Sequence, residues 1–180
     1  MPITVKKLDA AKSQLRTAIK LFFSNDDLIS THTLVSAALT ILHDHIPSDE
    51  VWKHDILLHY DTIFIKDEGR KLWAEKTREA ANFFKHADRD LKAGKTELEF
   101  NLEGTKFHIM EAIQCVRIIE GNGATEKEIT FQIFITWLLQ NYPKYLTDKG
   151  KKLLPIGFYD FPINKKTARE AIELLERQKT

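Results

Sequence analysis

The sequence predicts an all-α protein: a single-domain helical bundle of about five to seven helices that spans residues 1–180. Apolar residues recur at helical spacing over most of the chain. Short polar, glycine-containing or proline-containing stretches separate these periodic segments. The chain has no internal repeat, linker or low-complexity tract, and 180 residues fit one domain. The same pattern leaves room for a short extended arm or hairpin.

The composition of the chain limits the compartments and the binding partners that we expect for it. The chain is 43% hydrophobic and 29% charged, as expected of a soluble globular protein, and its net charge is +1. A net charge this small gives no strong indication that the protein binds nucleic acid. No segment approaches the roughly 20 apolar residues of a membrane span, and the N-terminus lacks the apolar core of a signal peptide. The single cysteine, Cys115, fits a reducing cytosol. We expect a cytoplasmic protein that does not bind membranes.

The first two predicted helices are joined by a short turn, so we expect them to pack antiparallel. An apolar stripe with period 3.6 predicts the first helix from about Leu8 to Phe23. Residues 24–27, Ser-Asn-Asp-Asp, break it. The second helix is expected to begin near Ser30 or Thr31, either of which can cap its first amides.

The middle of the chain contains a long central helix, predicted from about Asp67 to His86. Before it, residues 47–67 show no clear period, and we expect a short helix or two between Asp49 and Tyr60. After it, Leu98, Phe100 and Leu102 alternate as in a strand. Residues 153–161 are the candidate partner for a small hairpin.

The last third contains three predicted helices. The first runs from about Gly104 to Glu120, is strongly apolar, and ends at the Gly-Asn-Gly of residues 121–123. Thr125 and Glu128 have the spacing of a capping box for the next helix.

The C-terminal region packs over the bundle. Pro143 stops the preceding helix. Residues 154–162 are apolar but interrupted by proline, so they should drape over the bundle. The last helix is predicted from about Asn164 to Gln178. The apolar side chains of Trp52, Phe158 and Phe161 would suit a homodimer contact.

Residues 82–90, Asn-Phe-Phe-Lys-His-Ala-Asp-Arg-Asp, concentrate more polar chemistry beside apolar surface than any other stretch. Arg78, Asn82 and His86 are spaced four apart, so they share one helix face and form a polar ridge. His32, in the first turn of the second helix, either packs structurally or faces this ridge. The candidate polar site comprises Arg78, Asn82, Lys85, His86, Asp88, Asp90 and His32.

Two chemical interpretations of this site follow from its residues, a structural one and a metal or phosphate site. In the structural one, Asn82 and His86 hydrogen-bond to a neighbouring helix and fix its register. In the metal interpretation, His86, Asp88 and Asp90 supply a nitrogen and two carboxylates, with His32 as a fourth group. Lys85 and Arg89 oppose a cation and favour an anion. The sequence names no cofactor.

The chain resembles a bacterial-type family of small helical proteins with no assigned activity. The resemblance rests on residues 18–23, residues 30–34 and the motif of residues 81–90, Ala-Asn-Phe-Phe-Lys-His-Ala-Asp-Arg-Asp. It implies a common helical fold and marks the motif as the signature of the family. In related sequences a proline often follows the motif, where this chain has Leu91.

The motif is also similar, more distantly, to that of HEPN domains, which are helical bundles found in RNA-cleaving toxins and their partners. The spacing from Asn82 to His86 matches the polar residue and histidine of the HEPN motif. Ala81 stands where the HEPN arginine belongs, and Arg78 lies one turn earlier. This resemblance implies His86 as a general acid or base and an arginine that holds phosphate.

Two functions from different classes follow. The first is a non-enzymatic interaction module, in which the ridge at Asn82 and His86 binds a partner or a nucleotide. The alternative is an enzyme, either metal-dependent or HEPN-like and nucleolytic, that uses His86.

Overall fold

A computed structural model of the protein describes residues 2–46, 79–85, 94, 96–100, 102–143, 152 and 154–178. The predicted all-α fold is confirmed, because these residues form helices and contain no strand. A 3-10 helix covers Leu102–Gly104, and residues 79–85, here named the motif segment, are also helical. The α-helices with defined bounds are α1 (Lys7–Ser24), α2 (Leu28–His45), α3 (Thr105–Glu120), α4 (Asn122–Lys127), α5 (Ile129–Asn141) and α6 (Lys165–Arg177).

The turn between α1 and α2 depends on Asn25 and Asp27, two residues of the Ser-Asn-Asp-Asp break that the sequence predicts. Asn25 ends α1 in the left-handed region at φ 62°, and its N–H donates to the carbonyl of Leu21. Asp27, rather than Ser30 or Thr31, caps α2, because its carboxylate accepts the Ser30 N–H at 2.9 Å. The predicted start of α2 was therefore wrong by one turn. The Ser30 hydroxyl also donates to Asp27, which lowers the pKa of that carboxyl.

The capping box predicted at Thr125 does not form. Gly121 ends α3 at φ 84°, which a residue with a Cβ rarely adopts. The chain then enters the short helix α4 instead of a loop, so Thr125 lies inside a helix. Its carbonyl accepts from the Glu128 N–H and from the Gln132 side chain. Helix α5 starts after Glu128 with no side-chain cap.

The extended arm or hairpin predicted at Leu98 and Phe100 also does not form within the described residues. Residues 96–100 form no strand, and Leu102–Gly104 is a 3-10 helix. The proposed partner, residues 154–161, folds into consecutive turns. The alternating apolar residues at positions 98 and 100 therefore reflect packing against other parts of the chain rather than a strand. The Phe100 ring points inward, and its centroid lies 4.8 Å from that of the His32 ring.

Residues 154–163 drape over α5, as predicted, and two amide side chains hold them there. The Gln140 side chain donates to the Phe158 carbonyl and accepts the Ile163 N–H at 2.7 Å. Asn141 donates to the Ile163 carbonyl at 2.9 Å. These bonds set the start of α6, where Asn164 caps the helix through the Thr167 N–H.

The core lies between α1, α2, α3 and α5, and α6 adds one apolar edge through Ala168 and Ile172. At one end of it, Phe22 and Phe23 of α1 meet Phe134 and Trp137 of α5 with ring centroids 5.1–5.9 Å apart. Among the described helices, none combines the length and the apolar character needed to cross a membrane.

Some predictions fall outside the residues that the structure describes. The short helices expected between Asp49 and Tyr60 lie there, as does the first part of the central helix. Of the expected dimer contact, Trp52 lies there too, whereas Phe158 is half-buried and Phe161 is 84% exposed. The dimer stays a prediction.

The left-handed backbone at Asn25 gives a stability test. Asn25→Ala should lower the free energy of unfolding by about 1 kcal/mol, since a Cβ without a polar side chain disfavours this conformation. Asn25→Gly should cost less than about 0.5 kcal/mol, because glycine adopts positive φ without strain.

Both variants remove the same side-chain hydrogen bond to Lys165. The difference between their free energies of unfolding therefore measures the contribution of the backbone conformation at position 25. Urea unfolding followed by circular dichroism measures it. Equal loss in both variants would contradict a conformational role for position 25.

Candidate functional site

The motif segment presents its polar side chains to solvent and its apolar ones to the protein. Asn82 and Lys85 are exposed, Ala80 is buried, and Phe83 and Phe84 are half-buried. Partial burial of its ammonium lowers the pKa of Lys85. The exposure of Asn82 argues against the structural interpretation, in which its amide would bond to a neighbouring helix. The other predicted members of the ridge and its surroundings lie outside the described residues: Arg78, His86, Asp88 and Asp90.

His32 lies behind the motif segment and is buried. Its side chain is 1% exposed, and its Nδ1 shares a hydrogen bond of 3.2 Å with the Thr105 hydroxyl of α3. The ring makes edge contacts with Phe84 of the motif segment, at 6.1 Å between centroids, and with Phe100. His32 therefore contacts the motif segment through an aromatic side chain.

His108 is a second buried histidine that the sequence did not single out as part of a site. Its ring centroid lies 5.2 Å from that of His32, and only 2% of the residue is exposed. Burial lowers the pKa of His108 to about 3, and the neighbouring His32 contributes to the same shift. The imidazole is therefore neutral in the folded protein at physiological pH. A sequence signal existed, since position 108 falls on the apolar face of α3.

Cys115 lies in the core, as predicted. Burial raises the pKa of its thiol well above the usual value, and the nearby Glu111 carboxylate adds to this. A protonated, buried thiol is a poor nucleophile. Cys115 is a packing residue of α3.

A recess that Thr105 also lines was not anticipated from the sequence. We name it the aromatic–lysine pocket, and its volume is about 160 Å³. Side chains from α1, the α1–α2 turn, the start of α2, the 3-10 helix, the start of α3, the end of α5 and the start of α6 surround it. They are Phe22, Asn25, Leu28, Glu103, Thr105, Lys106, Trp137, Tyr142 and Lys165.

Lys106 supplies a buried cation at this pocket, with only 3% of the residue exposed. Its ammonium pairs with the Glu103 carboxylate and lies 4.1 Å from the centre of the Tyr142 ring. Burial lowers the pKa of Lys106, but hydrogen bonds to Glu103 and Tyr142 outweigh it and leave the pKa raised. Lys106 is therefore charged, and buried charges require such partners.

Lys165 supplies a second cation from the first turn of α6. Its ammonium lies 4.1 Å from the centre of the Phe22 ring and donates to the Asn25 amide oxygen at 3.2 Å. Burial lowers the pKa of Lys165, and the nearby Lys106 lowers it further, while Glu103 opposes the shift. The two lysines are thus close enough to repel one another.

Sequence reasoning missed this pocket because its members are far apart along the chain. Asn25 and Lys165 are separated by 140 positions. The one local signal was Lys106, a charged residue at the start of a strongly apolar helix. Thr105 connects the pocket to the buried histidines, since it lines the pocket and bonds to His32.

The metal interpretation gains no support from the described part of the chain. Within it, no group of three or more His, Cys, Asp or Glu side chains is placed to hold a metal ion. The predicted ligands His86, Asp88 and Asp90 lie outside it, so that set stays a prediction. His32, the suggested fourth ligand, uses Nδ1 for Thr105.

No family model, curated protein or solved structure matches the chain. Both resemblances noted from the motif therefore stay predictions, and the site is argued from its own residues.

The buried histidine pair predicts how stability depends on pH. The pKa of His108 is about 3 in the folded chain, whereas that of a histidine in water is 6.5. Below pH 6.5 the unfolded chain binds a proton that the folded chain does not, so stability falls as the pH falls toward 3. From pH 7.5 to 5.0, His108 alone should cost about 2 kcal/mol.

His108→Gln should remove the contribution of His108 to this pH dependence. From pH 7.5 to 5.0, the free energy of unfolding of the variant should therefore fall by about 2 kcal/mol less than that of the original protein. Urea titrations at both pH values measure the difference. His45→Gln is the control, because the His45 ring is exposed and this variant should follow the original protein. Identical pH dependence with and without His108 would show that the imidazole is not buried in its neutral form.

Proposed function

We propose that this chain is a non-enzymatic binding module whose exposed motif segment contacts a nucleotide or a protein partner. The observation that carries the proposal is the division of the motif segment into two sides. Asn82 and Lys85 face solvent, while Phe84 packs toward the buried His32. The Asn82 amide and the Lys85 ammonium together offer a ligand several hydrogen-bond donors and one acceptor. Because both groups are exposed, the folded chain does not have to bury them.

The position of His32 also favours binding over catalysis. A general base must come within hydrogen-bond reach of the proton it removes. His32 is enclosed by Phe84, Phe100 and His108 and bonds to Thr105. It serves as a packing residue that supports the motif segment from within.

The alternative function remains the metal-dependent or HEPN-like nucleolytic enzyme that uses His86. The Asn82–His86 spacing favours it, and Ala81 in the arginine position weakens it. The proposed compartment is the cytoplasm, since the single, buried Cys115 fits a reducing environment.

An RNA-cleavage assay separates the two functions. The purified chain should leave single-stranded RNA intact with no added metal and with Mn²⁺ or Zn²⁺ present. Cleavage that His86→Ala abolishes would contradict the binding proposal and establish the nucleolytic alternative.

A titration with a mononucleotide panel, followed by amide NMR, then tests the motif segment. We expect shifts at Asn82 and Lys85 and at least about tenfold weaker binding in Lys85→Ala, because a charge-assisted hydrogen bond is lost. Lys166→Ala, which removes another exposed helical lysine, should bind as the original does. If no nucleotide shifts these amides, the nucleotide part of the proposal would be wrong, and a protein partner would be the ligand to test at Asn82 and Lys85.

A further inference from the structure

The aromatic–lysine pocket lies apart from the exposed face of the motif segment and shares no residue with the proposed contact at Asn82 and Lys85. We propose that this pocket binds a small organic monoanion, a carboxylate attached to one flat apolar group. Lys106 and Lys165 hold the carboxylate, and the aromatic side chains enclose the flat group.

The size of the pocket limits the ligand to one ring. Its volume is about 160 Å³, close to that of an engineered protein cavity of roughly 150 Å³ that holds benzene. Sites for drug-sized molecules have volumes of roughly 300–1,000 Å³. A complete nucleotide therefore does not fit inside, whereas a single ring with a small acidic group does.

The charges of the pocket favour one negative charge on the ligand. Among the described residues that line the pocket, Lys106 and Lys165 contribute two positive charges and Glu103 contributes one negative charge, so this set carries a net charge of +1. A carboxylate neutralises it. A phosphate monoester carries about −1.5 to −2 at neutral pH and would leave the pocket with excess negative charge.

The donors of the two ammonium groups support the same ligand. Each lysine ammonium carries three N–H donors. Lys165 uses one for Asn25, and Lys106 bonds to Glu103 and Tyr142. The contacts in the described part of the chain thus leave N–H donors on both ammoniums for the oxygens of a ligand.

The walls of the pocket supply the apolar half of the site. Phe22 and Trp137 are fixed in the core with their ring centroids 5.1 Å apart, and Tyr142 packs on Trp137 at 5.7 Å. Rings held in this way lose little side-chain entropy when a ligand packs beside them, which lowers the cost of binding. Asn25, exposed at the end of α1, lies at the rim.

Isothermal titration calorimetry with benzoate tests the proposal, with benzamide as the neutral analogue of the same shape. Benzoate should bind with a millimolar or lower Kd and shift the indole N–H signal of Trp137 in NMR spectra. Benzamide should bind at least about tenfold more weakly, since it lacks the charge that the lysines recognise. Inorganic phosphate should bind more weakly than benzoate, because it has no apolar group.

Lys165→Gln is the decisive variant, since Lys165 is only half-buried and its replacement leaves the core intact. It should weaken benzoate binding at least about tenfold. The matched control is Lys166→Gln, whose ammonium is on the next residue and 77% exposed; it should keep the original affinity within about twofold. Circular dichroism confirms that both variants fold.

Three outcomes would overturn the proposal. They are no heat or indole shift at about 10 mM benzoate, equal affinity for benzamide, and unchanged affinity in Lys165→Gln. Tighter binding of inorganic phosphate than of benzoate would replace the carboxylate with a phosphate ligand. None of these results bears on the motif segment, whose test uses Lys85→Ala, so the two proposals fail separately.

Discussion

The structure depends on an aromatic junction in which α1 meets α5. Phe22 and Phe23 end one helix, Phe134 and Trp137 lie on the other, and edge contacts join all four rings. Each such pair contributes about 0.5–1.5 kcal/mol beyond the burial of its surface. The junction fixes the end of α1 and so sets where the following turn, with Asn25 at its start, can lie. The aromatic–lysine pocket opens beside this junction.

The first turn of α3 connects the junction to the rest of the molecule. Lys106 faces the pocket, His108 faces the buried His32, and Thr105 contacts both sides. Burying polar groups costs free energy unless each has a partner. Here Glu103, Tyr142 and His32 are among the partners. Helix α3, which otherwise packs in the core, therefore contributes polar residues both to the aromatic–lysine pocket and to the buried histidine pair.

Sequence periodicity was enough to predict the longer helices of the described part because their apolar stripes are local patterns, but the short helix α4 was not predicted. The first helix and the last were predicted to within about two residues at each end. The caps were harder, since Asp27 and Ser30 are both good capping residues and only backbone geometry decides between them.

The tertiary features were not predictable from local pattern. Phe100 alternates with its neighbours as a strand residue would, yet it points at His32. The pocket depends on Lys165 reaching Phe22 and Asn25 across nearly the whole chain. Of the predicted polar site, exposure of Asn82 and Lys85 and burial of His32 are now established, and its remaining members lie outside the described residues.

The most direct test of the account is the accessibility of each histidine, since the proposed function depends on the division between the buried histidine pair and the exposed Asn82 and Lys85. Modification by diethyl pyrocarbonate, followed by mass spectrometry of peptides, measures it residue by residue. His32 and His108 should be protected in the folded chain, while the exposed His45 should react readily. Modification of His32 as fast as His45 would place an accessible imidazole beside the motif segment. That result would contradict the binding-module account and favour an enzyme.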